Sequence, residues 1–273
     1  MTKRPKKLGF IGAGNMAGAL LKGVLAAGLY RAGDLWVTDP VPDQCRRVRR
    51  RYGVGAARDN RELVRGSQIV LLAVKPQVLP DVLEEIKGDA GPRHLFMSIA
   101  AGVPLRRLEA GLGERVRVVR VMPNAPALLG KGISVLVKGS RATSGDLRLA
   151  LRIFRGVGDA VAVDDEQLLD PVTGLSGSGP AYVYRFAEAL IEAGTRQGIP
   201  AEVVRRLVFR TLDGAAAMLL ETGMTPKELR EMVSSPGGTT LAGLAALDGG
   251  GFMDAVIAAV AAATHRSREL GAG

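Results

Sequence analysis

Along residues 1–163, short runs of β-branched and other apolar residues alternate with stretches in which apolar residues recur at helical spacing. This alternation is typical of strand–helix–strand units in a mainly parallel sheet. From about Asp164 the alternation stops, and every remaining segment has the helical period. The pattern therefore predicts an α/β domain over residues 1–163 and an all-helical domain over residues 164–273.

The apolar runs predict eight strands, one of them weak, with helices between them. The strands are expected at 8–11, 35–38, 55–57 (the weak one), 69–74, 95–99, 116–122, 133–137 and 160–163, and the helices at about 16–27, 43–52, 61–65, 78–86, 104–111 and 144–155. In the second half, Pro180 and Pro200 mark helix starts, and Thr225 with Glu228 forms a capping box. The glycines at 249–251 separate the last two helices.

The helical half is very apolar for its size. Val256, Ile257 and Val260 stand among runs of alanine, in a domain of about 110 residues. A second copy of the chain would cover such faces, so we expect an obligate homodimer formed through this half.

Composition narrows the class of protein. An apolar fraction of 47% with 23% charged residues excludes intrinsic disorder, and Cys45 as the single cysteine excludes a disulfide scaffold. With only two histidines as well, we expect no metal site and a reducing, cytoplasmic location. No apolar run reaches the roughly 18 to 20 residues of a membrane span, so no membrane partner is expected.

The chain is basic, with 37 Lys and Arg against 27 Asp and Glu, a net charge of +10. Such a charge permits a nucleic-acid partner or an anionic small molecule. The densest cluster, Arg46 to Arg51, has helical spacing without interleaved aromatic residues, which favours a solvated helix face. We therefore expect no nucleic-acid partner.

The sequence GFIGAGNMAGAL directly follows the first strand and opens the first helix. Gly12, Gly14 and Ala17 occupy the positions of a G-x-G-x-x-G/A motif, which allow a tight turn, backbone approach to a pyrophosphate and close helix–strand packing. Asn15 and Met16 lie in the same turn, where free helix N–H groups bind phosphate. The motif predicts a Rossmann-type doubly wound sheet that binds NADPH or NADH.

The choice between the two coenzymes stays open in the sequence. Asp39 ends the second strand, where a carboxylate binds a ribose 2′-hydroxyl and repels a 2′-phosphate. Arg46 and Arg47 open the next helix, where an arginine pairs with a 2′-phosphate.

The ends of three further strands belong at the same edge of the sheet, where ligands bind. They and the third helix start supply further candidate cofactor-binding residues: Ala73, Val74, Lys75 and Pro76, then Ala100 and Gly102, then Asn124, and Asn60. The small residues among them admit a flat ring, which favours a nicotinamide pocket.

Two loops in the helical half, at 176–182 and 234–240, place serine, threonine and glycine before a predicted helix. Each would present backbone N–H groups to a carboxylate or phosphate, or would be an ordinary helix cap.

Six motifs in this order resemble the pyrroline-5-carboxylate reductases over about Lys7 to Leu270: GFIGAGNMAGAL, AVKPQ, SIAAGV, MPNAPALL, VTGLSGSGPAYV and MVSSPGGTTLAGLAALD. The resemblance implies NAD(P)H-dependent reduction of 1-pyrroline-5-carboxylate to L-proline, the last step of proline biosynthesis. It also implies a helical dimerisation domain and assembly of dimers into a larger homo-oligomer. Asp39 departs from the small hydroxyl residue of members that prefer NADPH.

The substrate residues follow from the two loops and the resemblance. Backbone N–H groups of Ser235, Gly237, Gly238 and Thr239 would hold the substrate carboxylate, with Ser176 and Ser178 as further substrate-binding residues. By resemblance, Thr240 would be catalytic, through a hydrogen bond to the ring nitrogen.

Two alternatives remain. One is another Rossmann-fold NAD(P) oxidoreductase, acting on an imine or a hydroxyacid, in which a lysine of the helical domain transfers a proton. Lys227 is the only lysine after Lys138, and it falls in the exposed first turn of a capped helix, which argues against that reading. The other is a non-enzymatic dinucleotide-binding regulator that uses the arginine-rich helix.

Overall fold

The structure, a computed structural model, describes residues 7–272. It divides into two compact units, the first comprising residues 7–178 with 262–272 and the second comprising Gly179–Ala261. The sequence placed a boundary after residue 163, so the first unit is longer than the expected domain and also includes the end of the chain. That end is tied to the first unit, since Ser267 Oγ donates to Asp170 at 2.7 Å.

The first unit is built on one sheet of eight strands. The strands are β1 (Leu8–Ile11), β2 (Leu35–Thr38), β3 (Gly55–Ala56), β4 (Ile69–Leu72), β5 (Leu95–Ser98), β6 (Arg117–Pro123), β7 (Gly132–Lys138) and β8 (Gly158–Ala162). Their order is β3-β2-β1-β4-β5-β6-β7-β8, and every neighbouring pair is parallel except β6 with β7. The predicted doubly wound, mainly parallel sheet is confirmed.

The sheet is covered on both faces, which explains why its central strands are apolar without interruption. In β4, Ile69 and Leu71 belong to one core cluster, whereas Val70 and Leu72 belong to another. Successive side chains of a strand point to opposite faces, so an uninterrupted apolar run is expected where both faces are buried.

Seven α-helices lie in the first unit besides the end of the last helix. They are α1 (Asn15–Ala26), α2 (Pro42–Tyr52), α3 (Asn60–Gly66), α4 (Leu79–Ile86), α5 (Leu105–Leu112), α6 (Ser144–Arg155) and α7 (Leu169–Val172). Side chains of α1, α2 and α6 enter one core cluster, and side chains of α3, α4 and α5 enter the other. The helices therefore cover opposite faces on either side of the β1–β4 pair, which makes that pair the point where the winding reverses.

The segment predicted as a loop before Pro180 is helical instead. Thr173–Gly177 forms a π-helical turn that follows α7 directly. Within it, Ser176 Oγ donates to the Val172 carbonyl at 3.1 Å, and the Ser178 N–H donates to the Thr173 carbonyl at 2.9 Å. These groups are satisfied inside the chain, so the predicted loop of unpaired N–H groups is not present.

The second unit contains helices with a small core. They are α8 (Gly179–Arg196), α9 (Ala201–Glu221), α10 (Pro226–Met232), α11 (Thr239–Gly249) and the first part of α12 (Phe252–Ala272). The capping box predicted at Thr225 and Glu228 is present at the start of α10. Only Ala187, Val204 and Val208 form a buried apolar cluster among the described residues of this unit.

By length and hydropathy, no single helix within residues 7–272 could cross a membrane, although the bent pair of α11 with Phe252–Gly271 passes the same test when taken together.

Candidate active site

A cavity of about 910 Å³ lies at the carboxyl ends of β1, β2, β4, β5 and β6. In a doubly wound sheet the ligand binds in this crevice, because the helices on either side of the reversal leave toward opposite faces. Its lining includes most of the predicted cofactor residues, namely Gly12, Gly14, Asn15, Met16, Asp39, Asn60, Ala73, Val74, Lys75, Pro76 and Ala100.

The two glycines of the turn after β1 have different structural tasks. Gly12 has φ +100°, and a Cβ there would lie 2.5 Å from the carbonyl oxygen of Ala73. Gly14, the N-cap of α1, has φ −71°, and a Cβ there would meet no atom within 4 Å. Gly12 is therefore required by the backbone, whereas Gly14 leaves open space in the cavity at the start of a helix.

Asp39 follows β2 and is held by the backbone on both of its carboxylate oxygens. Oδ2 accepts a hydrogen bond from the N–H of Ala13 at 2.8 Å, and Oδ1 accepts one from the N–H of Val41 at 2.9 Å. The nearby Cys45 thiol has its pKa raised, first by burial and then by the negative charge of Asp39. Asp39 thus fixes the glycine turn to the end of β2.

The sequence did not identify several charged residues of the cavity wall: Arg58, Asp59, Asp81 and Glu85. Asp81 and Glu85 are four residues apart on α4, so that they share one helix face. Glu85 accepts a hydrogen bond from Nδ2 of Asn60 at 2.6 Å. The spacing of Asp81 and Glu85 was the signal in the sequence that could have pointed to them. Only the fold shows that the helix face they share borders the cavity.

Three predicted cofactor residues do not line the cavity. Ala17 is buried in the core beneath α1, in agreement with its packing role in the motif. The Asn124 side chain is bonded within the first unit, where Nδ2 donates to the Ser176 carbonyl at 3.2 Å and Oδ1 accepts from the N–H of Ile133 at 2.9 Å. Gly102 has φ +73°, and a Cβ there would lie 2.9 Å from Cβ of Leu270. Asn124 and Gly102 thus have contacts within the first unit, and their contact with a cofactor stays a prediction.

In the second unit, the segment from Ser234 to Gly238 connects α10 to α11 by a tight turn. The Gly238 N–H donates to the Ser235 carbonyl at 2.9 Å, so it is not available to a substrate as the sequence suggested. A Cβ at Gly238 would lie 2.5 Å from Ser235 Oγ and 3.0 Å from the Ser235 carbonyl oxygen, so a larger residue would force Ser235 to move. Among the described residues, the N–H groups of Thr239 and Thr240 have no acceptor, as expected in the first turn of a helix.

The Rossmann-type sheet, the glycine turn and the cavity where the winding reverses define a dinucleotide-binding protein. Two family models match the chain: one described as pyrroline-5-carboxylate reductase dimerisation over residues 166–270, and one described as NADP oxidoreductase coenzyme F420-dependent over residues 7–102. The first match begins close to the domain boundary that the sequence suggested.

Proteins that are similar to this chain over nearly its whole length identify its family. The pyrroline-5-carboxylate reductase of Methanosarcina acetivorans is 44% identical, with 97% of this chain and 98% of the relative covered. A solved pyrroline-5-carboxylate reductase from Coxiella burnetii has a TM-score of 0.92 at 36% identity, covering 98% of this chain and 99% of that one. The structure of the Plasmodium falciparum pyrroline carboxylate reductase with NADP bound has a TM-score of 0.86 at 33% identity, covering 97% and 98%. The chain belongs to the pyrroline-5-carboxylate reductase family.

Proposed function

We propose that this protein reduces 1-pyrroline-5-carboxylate to L-proline, the last step of proline biosynthesis, with NADH or NADPH as the hydride donor. The observation that carries the proposal is the likeness to reductases of this name over nearly the whole of both chains. The cavity at the reversal of the sheet, with its glycine turn, supports it independently.

The residues present fit a nicotinamide dinucleotide. Gly14 offers the open side of a turn at the start of a twelve-residue helix, which suits a pyrophosphate. Ala73 and Ala100 follow β4 and β5, and their small side chains leave room for a flat ring. Lys75 adds a positive charge to the same part of the cavity lining. When bound, the reduced nicotinamide supplies the hydride that reaches the carbon of the imine double bond.

A protonated cyclic imine is already an electrophile, so the chain has to position it more than to activate it. We assign the substrate carboxylate to the start of α11, where the N–H groups of Thr239 and Thr240 are unpaired within the described chain. Ser235 and Gly237, in the turn before this helix, are further contacts in the proposal. Ser176 and Ser178 have weaker support, because their segment is helical and bonded internally.

We assign to Thr240 the hydrogen bond to the ring nitrogen. The alternative role for this hydroxyl was a helix cap, but the N-cap of α11 is Gly238 and no side chain caps this helix. The Thr240 hydroxyl has no hydrogen-bond partner among the described residues. Its removal should therefore cost little stability, which separates the two roles in an experiment.

The proposal favours the imine reductase over a dehydrogenase with a catalytic lysine in the helical half. Lys227, the only lysine after Lys138, lies in the first turn of α10, where its side chain is 73% exposed and lies 3.8 Å from Glu231. Such an exposed lysine lacks the enclosed environment of a proton-transfer group.

We propose that the protein acts in the cytoplasm as a homodimer. By analogy with its family, these dimers assemble further. The dimerisation model that matches residues 166–270 supports self-association. The exposed apolar side chains of the second unit, such as Leu220 and Ile257, agree with a covered surface. The cytoplasmic location rests on the single cysteine and the metabolic role.

The first test adds 1-pyrroline-5-carboxylate to the protein with NADH or with NADPH. Oxidation of the coenzyme is measured by nicotinamide absorbance, and L-proline is measured as the product. Thr240→Ala should lower kcat/KM for the imine by roughly 10- to 100-fold, because a hydrogen bond to the reacting ring is lost, while coenzyme affinity stays unchanged. Thr239→Ala is the matched control, since alanine keeps the backbone N–H. Equal loss in both variants would contradict the role of Thr240, and no proline formation with either coenzyme would contradict the function.

A further inference from the structure

The carboxylate of Asp39 is fixed at the cavity wall where β2 ends. Its two oxygens accept the N–H groups of Ala13 and Val41 at 2.8 and 2.9 Å, so the side chain cannot turn away without breaking both bonds. An ionised carboxylate only accepts hydrogen bonds, and each of its oxygens has more than one acceptor position. Asp39 can therefore hold the turn and still accept hydrogens from sugar hydroxyls.

The two arginines at the start of α2 do not line the cavity in which Asp39 lies. Arg46 is ion-paired with Asp43, and neither residue lines the cavity. Arg47 lines a neighbouring surface depression with Lys22 and Arg51. This depression adjoins the cavity at Gly14, Asn15 and Leu128, but Asp39 is not part of it.

Arg58 does line the cavity, but its side chain is 83% exposed and its Nε lies 3.2 Å from a carboxylate oxygen of Glu62. Of the charged residues that line the cavity, the acidic ones outnumber the basic ones: Asp39, Asp59, Asp81 and Glu85 against Arg58 and Lys75. The wall at the end of β2 thus carries a fixed negative charge without an unpaired guanidinium.

We propose that Asp39 makes the protein select NADH over NADPH. The carboxylate accepts hydrogen bonds from the adenosine ribose hydroxyls of NADH, and it repels the 2′-phosphate of NADPH at close range. The inference rests on the proposed function, since it takes the cavity as the dinucleotide site. In the sequence, Asp39 favoured NADH and the two arginines at the start of α2 favoured NADPH. The proposal decides between them in favour of Asp39.

The direct test is coenzyme binding, measured by nicotinamide fluorescence with the intact protein, together with kcat/KM for each coenzyme. The unchanged protein should bind NADH at least about 10-fold more tightly than NADPH, and Asp39→Ser should reduce this ratio by about 10- to 100-fold. Asp34→Ser is the matched control, because Asp34 stands directly before β2, at the opposite end of the same strand, and does not line the cavity. This control should leave the ratio unchanged.

Asp39→Asn separates charge from loop geometry. It keeps one carbonyl oxygen to accept a backbone N–H and removes the charge, so it should shift the ratio in the same direction as Asp39→Ser, with an unchanged circular dichroism spectrum. If both Asp39 variants weaken the two coenzymes equally, Asp39 only holds the turn and the proposal is overturned. A preference of the unchanged protein for NADPH that Arg47→Ala abolishes would overturn it as well.

The result also distinguishes this proposal from the proposed function. Tighter binding of NADH that depends on Asp39, with no reduction of 1-pyrroline-5-carboxylate, would support the coenzyme assignment and remove the substrate assignment. Reduction of the imine with a preference for NADPH would support the proposed function and remove the coenzyme assignment.

Discussion

The two glycines of the first turn give opposite predictions for substitution. Gly12→Ala places a Cβ 2.5 Å from the Ala73 carbonyl oxygen in a backbone with φ +100°, so the free energy of unfolding should fall by about 2 to 4 kcal/mol. At Gly14 a Cβ would meet no atom within 4 Å, so Gly14→Val should leave the fold intact while dinucleotide binding is lost. Urea unfolding and coenzyme fluorescence measure the two effects separately. Tight coenzyme binding by a folded Gly14→Val would remove the pyrophosphate from this turn.

Individual residues were predictable from sequence where a local backbone geometry dictates them. Gly12 and Gly14 belong to a strand–turn–helix motif whose constraints lie within a few residues. Asn124 and Gly102 looked similar, as residues at strand ends, but their contacts come from distant segments of the chain. Asn124 bonds to Ser176, and Gly102 approaches Leu270. No local sequence pattern indicates such distant partners. For Asn124 and Gly102, a ligand-binding role and a structural role therefore could not be distinguished from the sequence.

The regular elements were predictable for the same local reason. Buried strands such as β4 and amphipathic helices such as α6 follow from hydrophobic period, and α6 was placed at its observed bounds, Ser144–Arg155. The predicted fourth strand ran on to Val74, whereas β4 ends at Leu72 because Ala73 to Pro76 leave the sheet to line the cavity. The π-helical turn at Thr173–Gly177 was missed, since glycine and serine usually mark loops, whereas this segment lies between two helices and is bonded to Asn124 from a distant part of the chain.

One ion pair joins three elements of the first unit, and its loss should be costly. Oε1 of Glu166 accepts from Arg120 of β6 at 2.7 Å and from the N–H of Leu105, at the start of α5, at 2.7 Å. The Arg120 side chain is only 7% exposed, so Glu166→Ala would leave a buried guanidinium unpaired. We expect the free energy of unfolding to fall by about 2 to 4 kcal/mol.

Denaturant unfolding measures this loss, and Glu166→Gln is the graded control. Glutamine keeps a carbonyl oxygen for both donors but not the charge, so its loss of stability should be smaller than that of alanine. If Glu166→Ala is as stable as the unchanged protein, water or another acceptor satisfies Arg120, and the ion pair does not join these elements.

At the scale of the whole molecule, the apolar surface of the second unit requires a partner. In the single chain, Leu220 is 85% exposed and Ile257 is 59% exposed. If the protein were monomeric, Ile257→Asp would be an ordinary surface substitution, worth at most about 0.5 kcal/mol. If this face is covered by a second copy, the substitution buries an unpaired charge, and the dimer should dissociate or aggregate with loss of activity.

Sedimentation and the dependence of the melting temperature on protein concentration test this, because only an associating protein becomes more stable as its concentration rises. Val161→Asp is the matched control, since Val161 is 44% exposed on β8 in the first unit and should change neither quantity. Should Ile257→Asp sediment and melt like the unchanged protein, the interface does not include this part of α12. A concentration-independent melting temperature in the unchanged protein, with monomeric sedimentation, would contradict the dimer as a whole. The apolar surface would then have to be explained by a different partner.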